Sequence, residues 1–199
     1  VGTGFASFLS PPGPEVIRFT VGQPDFATPT KIVQSAKDSL DRGETAYTRT
    51  QGSPELCSAV SKHLEKHDIT IPAQDIVIAP GCKQAVLYAM IATLNPDDKA
   101  IIVNSPNNPT GAVYTPEEIE KLVKFAEKHD LWIIDDMIYA TLVWEDYGYT
   151  SPSLVDGGAE RTITIGGWSK GWAMTGWRLG WIGGPTELID AVKKVNASA

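Results

Sequence analysis

The sequence is short of cysteine, of histidine and of positive charge. Two cysteines, Cys57 and Cys82, cannot build a disulfide framework. The 199 residues must therefore hold together through a hydrophobic core, which a chain of this length can bury. Seventeen Lys and Arg stand against 24 Asp and Glu, a net charge of -7. That balance excludes the basic face of a nucleic-acid-coating protein. No run of 18 apolar residues is present, so no transmembrane helix can be drawn. Val1 to Phe8 has neither a positive n-region nor an apolar h-region, so no signal peptide is expected and the reading is cytoplasmic.

Familiar motifs are also missing. There is no Walker loop, and Gly2-Thr3-Gly4 follows no strand, so it is no dinucleotide fingerprint. His63 and His67 have helical spacing, but Leu64-Glu65-Lys66 between them fits no zinc-helix motif. A solvated helix face is expected there, and no metal. Asn196-Ala197-Ser198 fits a glycosylation pattern with nothing else to suggest secretion.

What is present is the composition of a globular protein, 42% apolar and 21% charged. Residues 1–29 carry five prolines and several glycines and are read as an N-terminal arm. Residues 30–199 are read as one domain. Thr28-Pro29 signals a helix start, with Ile32, Val33, Ala36 and Leu40 as its stripe and Gly43 as its stop. Ser53-Pro54 repeats the signal, and Thr115-Pro116-Glu117-Glu118 is a capping box. A helix from about Lys83 to Leu94 is apolar nearly all round and is expected to be buried. A last helix is expected over Pro185–Val195.

Strands are expected over Asp75–Ala79, Ala100–Asn104, Leu131–Asp135, Thr162–Ile165 and Arg178–Ile182. Apolar strands alternating with helices predict an α/β fold, a mostly parallel sheet covered on both faces. Only Gly166 to Trp177 separates the last two strands, without a helical stripe, so that pair should be antiparallel. Open α/β sheets hold ligands beyond the carboxyl ends of their strands. Four polar loops should meet there: Gly81-Cys82-Lys83, Asn104 to Gly111, Asp135 to Tyr139, and Ser169-Lys170.

Those loops resemble the class I aminotransferases, in the aspartate aminotransferase branch of the fold-type I pyridoxal-phosphate enzymes. The likeness rests on Gly22-Gln23-Pro24-Asp25, on Tyr47 with Gly52-Ser53-Pro54-Glu55-Leu56, and on Asn104 to Gly111. It rests further on Asp136-Met137-Ile138-Tyr139, and on Ser169-Lys170 followed by Met174-Thr175-Gly176-Trp177-Arg178-Leu179-Gly180. The resemblance implies pyridoxal 5'-phosphate as cofactor, carried on Lys170 as a Schiff base. A nucleophilic lysine needs its charged form destabilised, which Arg178, Trp168, Trp172 and Trp177 could supply. The resemblance makes Asp136 the partner of the ring nitrogen, and gives Asn108 and Tyr139 the phenolic oxygen. It seats the phosphate on the backbone of Gly81, Cys82 and Lys83 with Ser169, Arg178 and, from a neighbouring subunit, Tyr47. Gly22 would approach the substrate carboxylate, with Asn108 beside it.

The implied activity is amino-group transfer between an L-amino acid and a 2-oxo acid by a homodimer. The alternatives are a carbon–sulfur lyase on the same fold and an inactive cofactor-binding fragment. Met137 stands where the family usually has Glu, and Cys57 where it often has Arg. Between Leu94-Asn95-Pro96 and Ala100 the family inserts a strand and an aromatic-bearing loop, whereas here only Asp97-Asp98-Lys99 intervene. Beyond Val195 the family continues into a small domain that holds a carboxylate-binding arginine. A chain shortened near 96–100 and truncated after about 195 is expected to be a part or product of a longer protein.

Overall fold

Each expected apolar run becomes a strand because its β-branched side chains fill both faces of a covered sheet. In the computed structural model, residues 22–95, 97, 99–144 and 148–198 are described. The strands are β1 (Ile76–Ala79), β2 (Ala100–Asn104), β3 (Trp132–Asp136), β4 (Thr162–Gly167) and β5 (Gly180–Gly183). They lie in the order β1-β5-β4-β3-β2. β2, β3 and β4 pair in parallel, while β5 runs antiparallel to both β4 and β1. The antiparallel last pair is the one the short connection demanded. Four strands therefore point one way, and their carboxyl ends share one edge.

Helices cover both faces. α3 (Cys82–Thr93) and α5 (Thr186–Ala197) pack on one side through Ala85, Tyr88, Ala89, Leu188, Ile189 and Val192, against Val77, Ile134, Ile163, Ile165 and Ile182. On the other side α2 (Pro54–Leu64) covers Ile76 and Trp181, and α4 (Pro116–Lys128) covers Val103 and Ile133. Each such aliphatic side chain contributes roughly 1.5–3 kcal/mol when fully buried. The capping box forms: Thr115 Oγ1 accepts from the Glu118 N–H, and Glu118 Oε2 accepts from the Thr115 N–H.

Three expectations need correction. First, α3 is not buried all round. Leu87, Met90 and Ile91 are exposed, as is Ile102 on β2. β2 is an edge strand, and the helix has only one sheet face to cover, so its second apolar face has no neighbour among the described residues. Second, the first helix, α1 (Thr30–Asp41), starts one residue later than read, with Pro29 at the cap position. Thr28 is drawn away, its hydroxyl donating to the Ala173 carbonyl at 2.5 Å and accepting from Trp177 Nε1 at 3.1 Å. Nothing in α1 is fully buried. Third, His63 and His67 do not form a solvated face. They stack edge to face on each other, and outward on Trp172 and Tyr149. The arm up to residue 21, together with Pro96 and Asp98 in the helix-to-strand join, lies outside the described residues.

Candidate active site

The carboxyl ends of β1 to β4 gather the residues that the loops promised. β3 ends in Asp136, whose carboxyl accepts the Ile138 N–H at 3.2 Å. Asn104 at the end of β2 is its register neighbour and donates from Nδ2 to the Asp136 carbonyl at 3.0 Å. The Asn104 side-chain oxygen then accepts from the Asn108 N–H and from Asn107 Nδ2. Asn104 thus pins the Asn-Pro loop to the Asp136 strand, a role that the sequence reading missed. Asn108 Nδ2 in turn donates to Tyr139 Oη at 3.2 Å. Burial, the main influence on Asp136, pushes its carboxyl pKa upward, and the Ile138 amide pulls it partly back. A cationic N–H facing Asp136 would relieve that penalty.

Lys170 follows β4. Its Nζ donates to the Gly22 carbonyl. A Cβ on Gly22 would come within 3.8 Å of that nitrogen. Gly22, Asn108, Tyr139 and Lys170 line one cavity of about 530 Å³ together with Phe26, Pro106 and Leu142. The tryptophans expected around the amine are each engaged elsewhere. Trp168 packs on the α2 cluster, Trp172 meets His63, and Trp177 holds Thr28.

The anion seat is built from a glycine, a helix end and a guanidinium. Gly81 adopts φ +94° and opens α3. A Cβ there would lie 2.5 Å from Arg178 Nη2, so the guanidinium lies directly over the helix N-terminus. Gly180 brings β5 equally close, since its Cβ would meet the Gly81 carbonyl carbon at 2.6 Å. Arg178 itself has φ 54°, a conformation that costs a non-glycine residue about 1–2 kcal/mol. Nη1 donates to the Thr175 carbonyl at 3.0 Å, and among the described residues no carboxylate pairs with this arginine. A guanidinium set against the positive end of a helix dipole is repulsive unless an anion sits between them.

One detail of the expected cradle changes. The Gly81 N–H donates to the Ala79 carbonyl at 2.7 Å and is not free. The amides of Cys82 and Lys83 keep no acceptor among the described residues. The Cys82 thiol is pushed up to about 12, chiefly by burial and then by the Asp136 charge. It is therefore protonated and inert, and its backbone is the useful part. Ser169 is buried beside the amine-bearing loop. Tyr47 lies apart from the lysine cavity. It is fully exposed and shares a second cavity, of about 560 Å³, with Arg178, Pro80 and Gly52.

Gly81→Ala is expected to weaken anion binding about tenfold or more. It adds left-handed strain of about 1–2 kcal/mol and displaces the Arg178 guanidinium. Titration of the variant with pyridoxal 5'-phosphate, followed by absorbance, checks this. Wild-type affinity in a folded variant would mean that the anion does not sit there.

Fold and site together define a class: a doubly covered α/β domain whose strand ends hold a lysine amine, a half-buried acid and a cationic anion seat. The chain belongs to the family described as aminotransferase class I and II, matched by residues 14–103 and 98–199. The family's cofactor is pyridoxal 5'-phosphate. The chain is 33% identical to an aspartate/prephenate aminotransferase of Cereibacter sphaeroides, over 99% of its own length and 62% of that protein's. It is 32% identical to an aspartate aminotransferase of Thermotoga maritima, over 96% of itself and 64% of that relative. Among solved structures, Thermus thermophilus aspartate aminotransferase with maleate superposes with a TM-score of 0.85 at 30% identity, covering 90% of this chain and 59% of that one. A Pyrococcus structure described as protein-A1 superposes with a TM-score of 0.89 at 31% identity, covering 93% and 61%. The chain thus spans about three fifths of the length of the relatives it matches.

Proposed function

We propose that this chain is the cofactor-binding part of a pyridoxal-phosphate-dependent aminotransferase acting between an L-amino acid and a 2-oxo acid. The observation that carries the reading is the meeting of Lys170, Asp136, the Asn108–Tyr139 pair and the Arg178–α3 seat at one sheet edge. The donor set suits the cofactor. An amine is available for its aldehyde, a half-buried carboxyl for its ring nitrogen, two polar side chains for its phenolic oxygen, and a guanidinium with two helix-end amides for its phosphate. Once bound, the cofactor supplies a sink for the electrons left when a proton departs from the substrate α-carbon.

The chain's residues divide the remaining work. Arg178 with the Cys82 and Lys83 amides anchors the phosphate. Asp136 would hold a proton on the ring nitrogen, and its partly buried setting would strengthen that pairing. Asn108 and Tyr139 would hydrogen-bond the phenolic oxygen and so orient the ring. Lys170, whose Nζ here donates to the Gly22 carbonyl, would offer its amine to the aldehyde and would hold and move the α-proton. An exchange assay tests the reading: aspartate and other L-amino acids are offered with 2-oxoglutarate, and amino transfer is followed by product analysis. Carbon–sulfur cleavage without transfer would replace this reading with that of a lyase.

Internal shortening fits the same picture. The two family matches overlap at residues 98–103, at the join between α3 and β2. The uncovered faces of α3 and β2 flank that join.

A homodimer belongs to the proposal, with Tyr47 serving the neighbouring subunit's phosphate. Tyr47 stands on an entirely exposed segment, residues 41–50. Tyr47→Phe should cost about 1 kcal/mol of phosphate binding, the value of one hydrogen bond. Mixing Tyr47→Phe subunits with Lys170→Ala subunits should regenerate one wild-type site per heterodimer. If activity per intact Lys170 stays at the Tyr47→Phe level, the tyrosine serves its own subunit.

A further inference from the structure

Asp135 is a buried acid that the proposed chemistry does not use. It precedes Asp136 on β3 but faces the opposite side of the sheet, because side chains alternate along a strand. It is fully buried. Its Oδ2 accepts from Tyr149 Oη and, at 2.7 Å, from Ser151 Oγ. Its Oδ1 has no partner. Directly across the register on β4 stands Thr164, whose Oγ1 is also buried and unpartnered. β2 contributes Val103 at the same level and no charge. Asp136, Tyr149, Ser151 and Thr164 are thus the polar and titratable groups around it.

The network does not stop at Tyr149. The Tyr149 ring meets His67 edge to face at 5.7 Å, His67 meets His63 at 5.6 Å, and His63 meets Trp172 at 5.1 Å. Trp172 is two residues past Lys170. A continuous set of contacts behind the sheet therefore joins the strand end that presents Asp136 to the loop that presents Lys170. Leaving a buried carboxyl oxygen unpaired costs roughly 1–3 kcal/mol. An apolar side chain would avoid that cost, so stability alone does not explain the acid.

We propose that Asp135 is a positioning residue for Asp136: held by Tyr149 and Ser151, it fixes the strand end from behind and couples it through the His67–His63–Trp172 stack to the Lys170 loop. This rests on the role assigned to Asp136 above. Burial, opposed in part by Tyr149 and Ser151, raises the Asp135 pKa to about 7. Folded Asp135 thus holds a proton that the unfolded chain gives up near pH 4. Its contribution to stability is complete below about pH 4 and is lost as pH rises through about 7.

Tyr149→Phe is the informative variant, because it removes one hydroxyl and keeps the ring on His67. In the cofactor-free protein, carbon NMR should place the Asp135 carboxyl titration about one unit higher, equivalent to one lost hydrogen bond. The Asp136 carboxyl resonance should move as well. With pyridoxal 5'-phosphate added, the pH at which the visible band of the lysine-bound cofactor titrates should shift, while kcat falls more than KM changes. Ser151→Ala should act in the same direction and serves if Tyr149→Phe does not fold. If the Asp135 titration rises but the Asp136 resonance stays at its wild-type position, Asp135 is structural only and the proposal fails. Absence of a visible band in the wild-type protein would contradict the cofactor reading instead. The Asp136 resonance, read without cofactor, would still decide the positioning role.

Discussion

Replacing Lys170 by alanine is expected to slow amino transfer by about 10²–10⁴, the range for removing a positioned acid–base group. The cofactor phosphate should still bind, because Arg178 and the α3 amides are untouched. In this structure the Lys170 Nζ donates to the Gly22 carbonyl, at the wall of a cavity also lined by Asn108 and Tyr139. That placement would let the amine reach a cofactor bound in the cavity and move a proton there. Single-turnover kinetics with excess amino acid measure the proton-transfer step directly. A Lys170→Ala protein that turns over at the wild-type rate would mean that another group moves the proton.

Asp136→Ala is expected to leave phosphate binding nearly intact and to slow the same step by about 10²–10³, the cost of removing one preorganised electrostatic partner. The physical reason is charge. Without the Asp136 carboxylate, nothing at that strand end would hold a proton on the ring nitrogen, and the electron sink that the cofactor supplies would be weakened. The variant carries its own control. Because partial burial raises the Asp136 pKa, deleting the side chain removes a partly desolvated polar group, and the cofactor-free protein should be no less stable. Thermal unfolding without cofactor, set beside half-transamination rates with it, separates the two effects. A large loss of apo stability with unchanged rates would reduce Asp136 to a structural turn residue.

Much of this was legible in the sequence because it depended on local rules. Strand and helix order followed from apolar period and from caps such as Thr115 with Glu118. The antiparallel β4–β5 pair followed from a connection too short and too irregular for a crossover. The convergence of Gly81, Asn108, Asp136 and Lys170 followed from strand polarity alone.

What sequence reasoning missed depended on neighbours. Helical periodicity could not reveal that α3 would have one sheet face and no second partner, leaving Leu87, Met90 and Ile91 uncovered. A cap rule assigned Thr28 to α1, but the Ala173 carbonyl and the Trp177 indole claimed its hydroxyl. The Gly81 amide looked free by analogy, yet it closes a tight turn onto Ala79. Asn104 and Asp135 were overlooked for a related reason. Both looked like plain strand ends, and only strand register shows what they touch. The histidine pair gave a signal, its helical spacing, but the aromatic partners came from distant segments.

The central claim is that Lys170 carries the cofactor. Incubation with pyridoxal 5'-phosphate, reduction with borohydride, and peptide mapping by mass spectrometry test it most directly. The account predicts one stable adduct, on the peptide containing Ser169-Lys170, and its loss in the Lys170→Ala protein. An adduct on another lysine, such as Lys83 beside the anion seat, with Lys170 left unmodified, would contradict it.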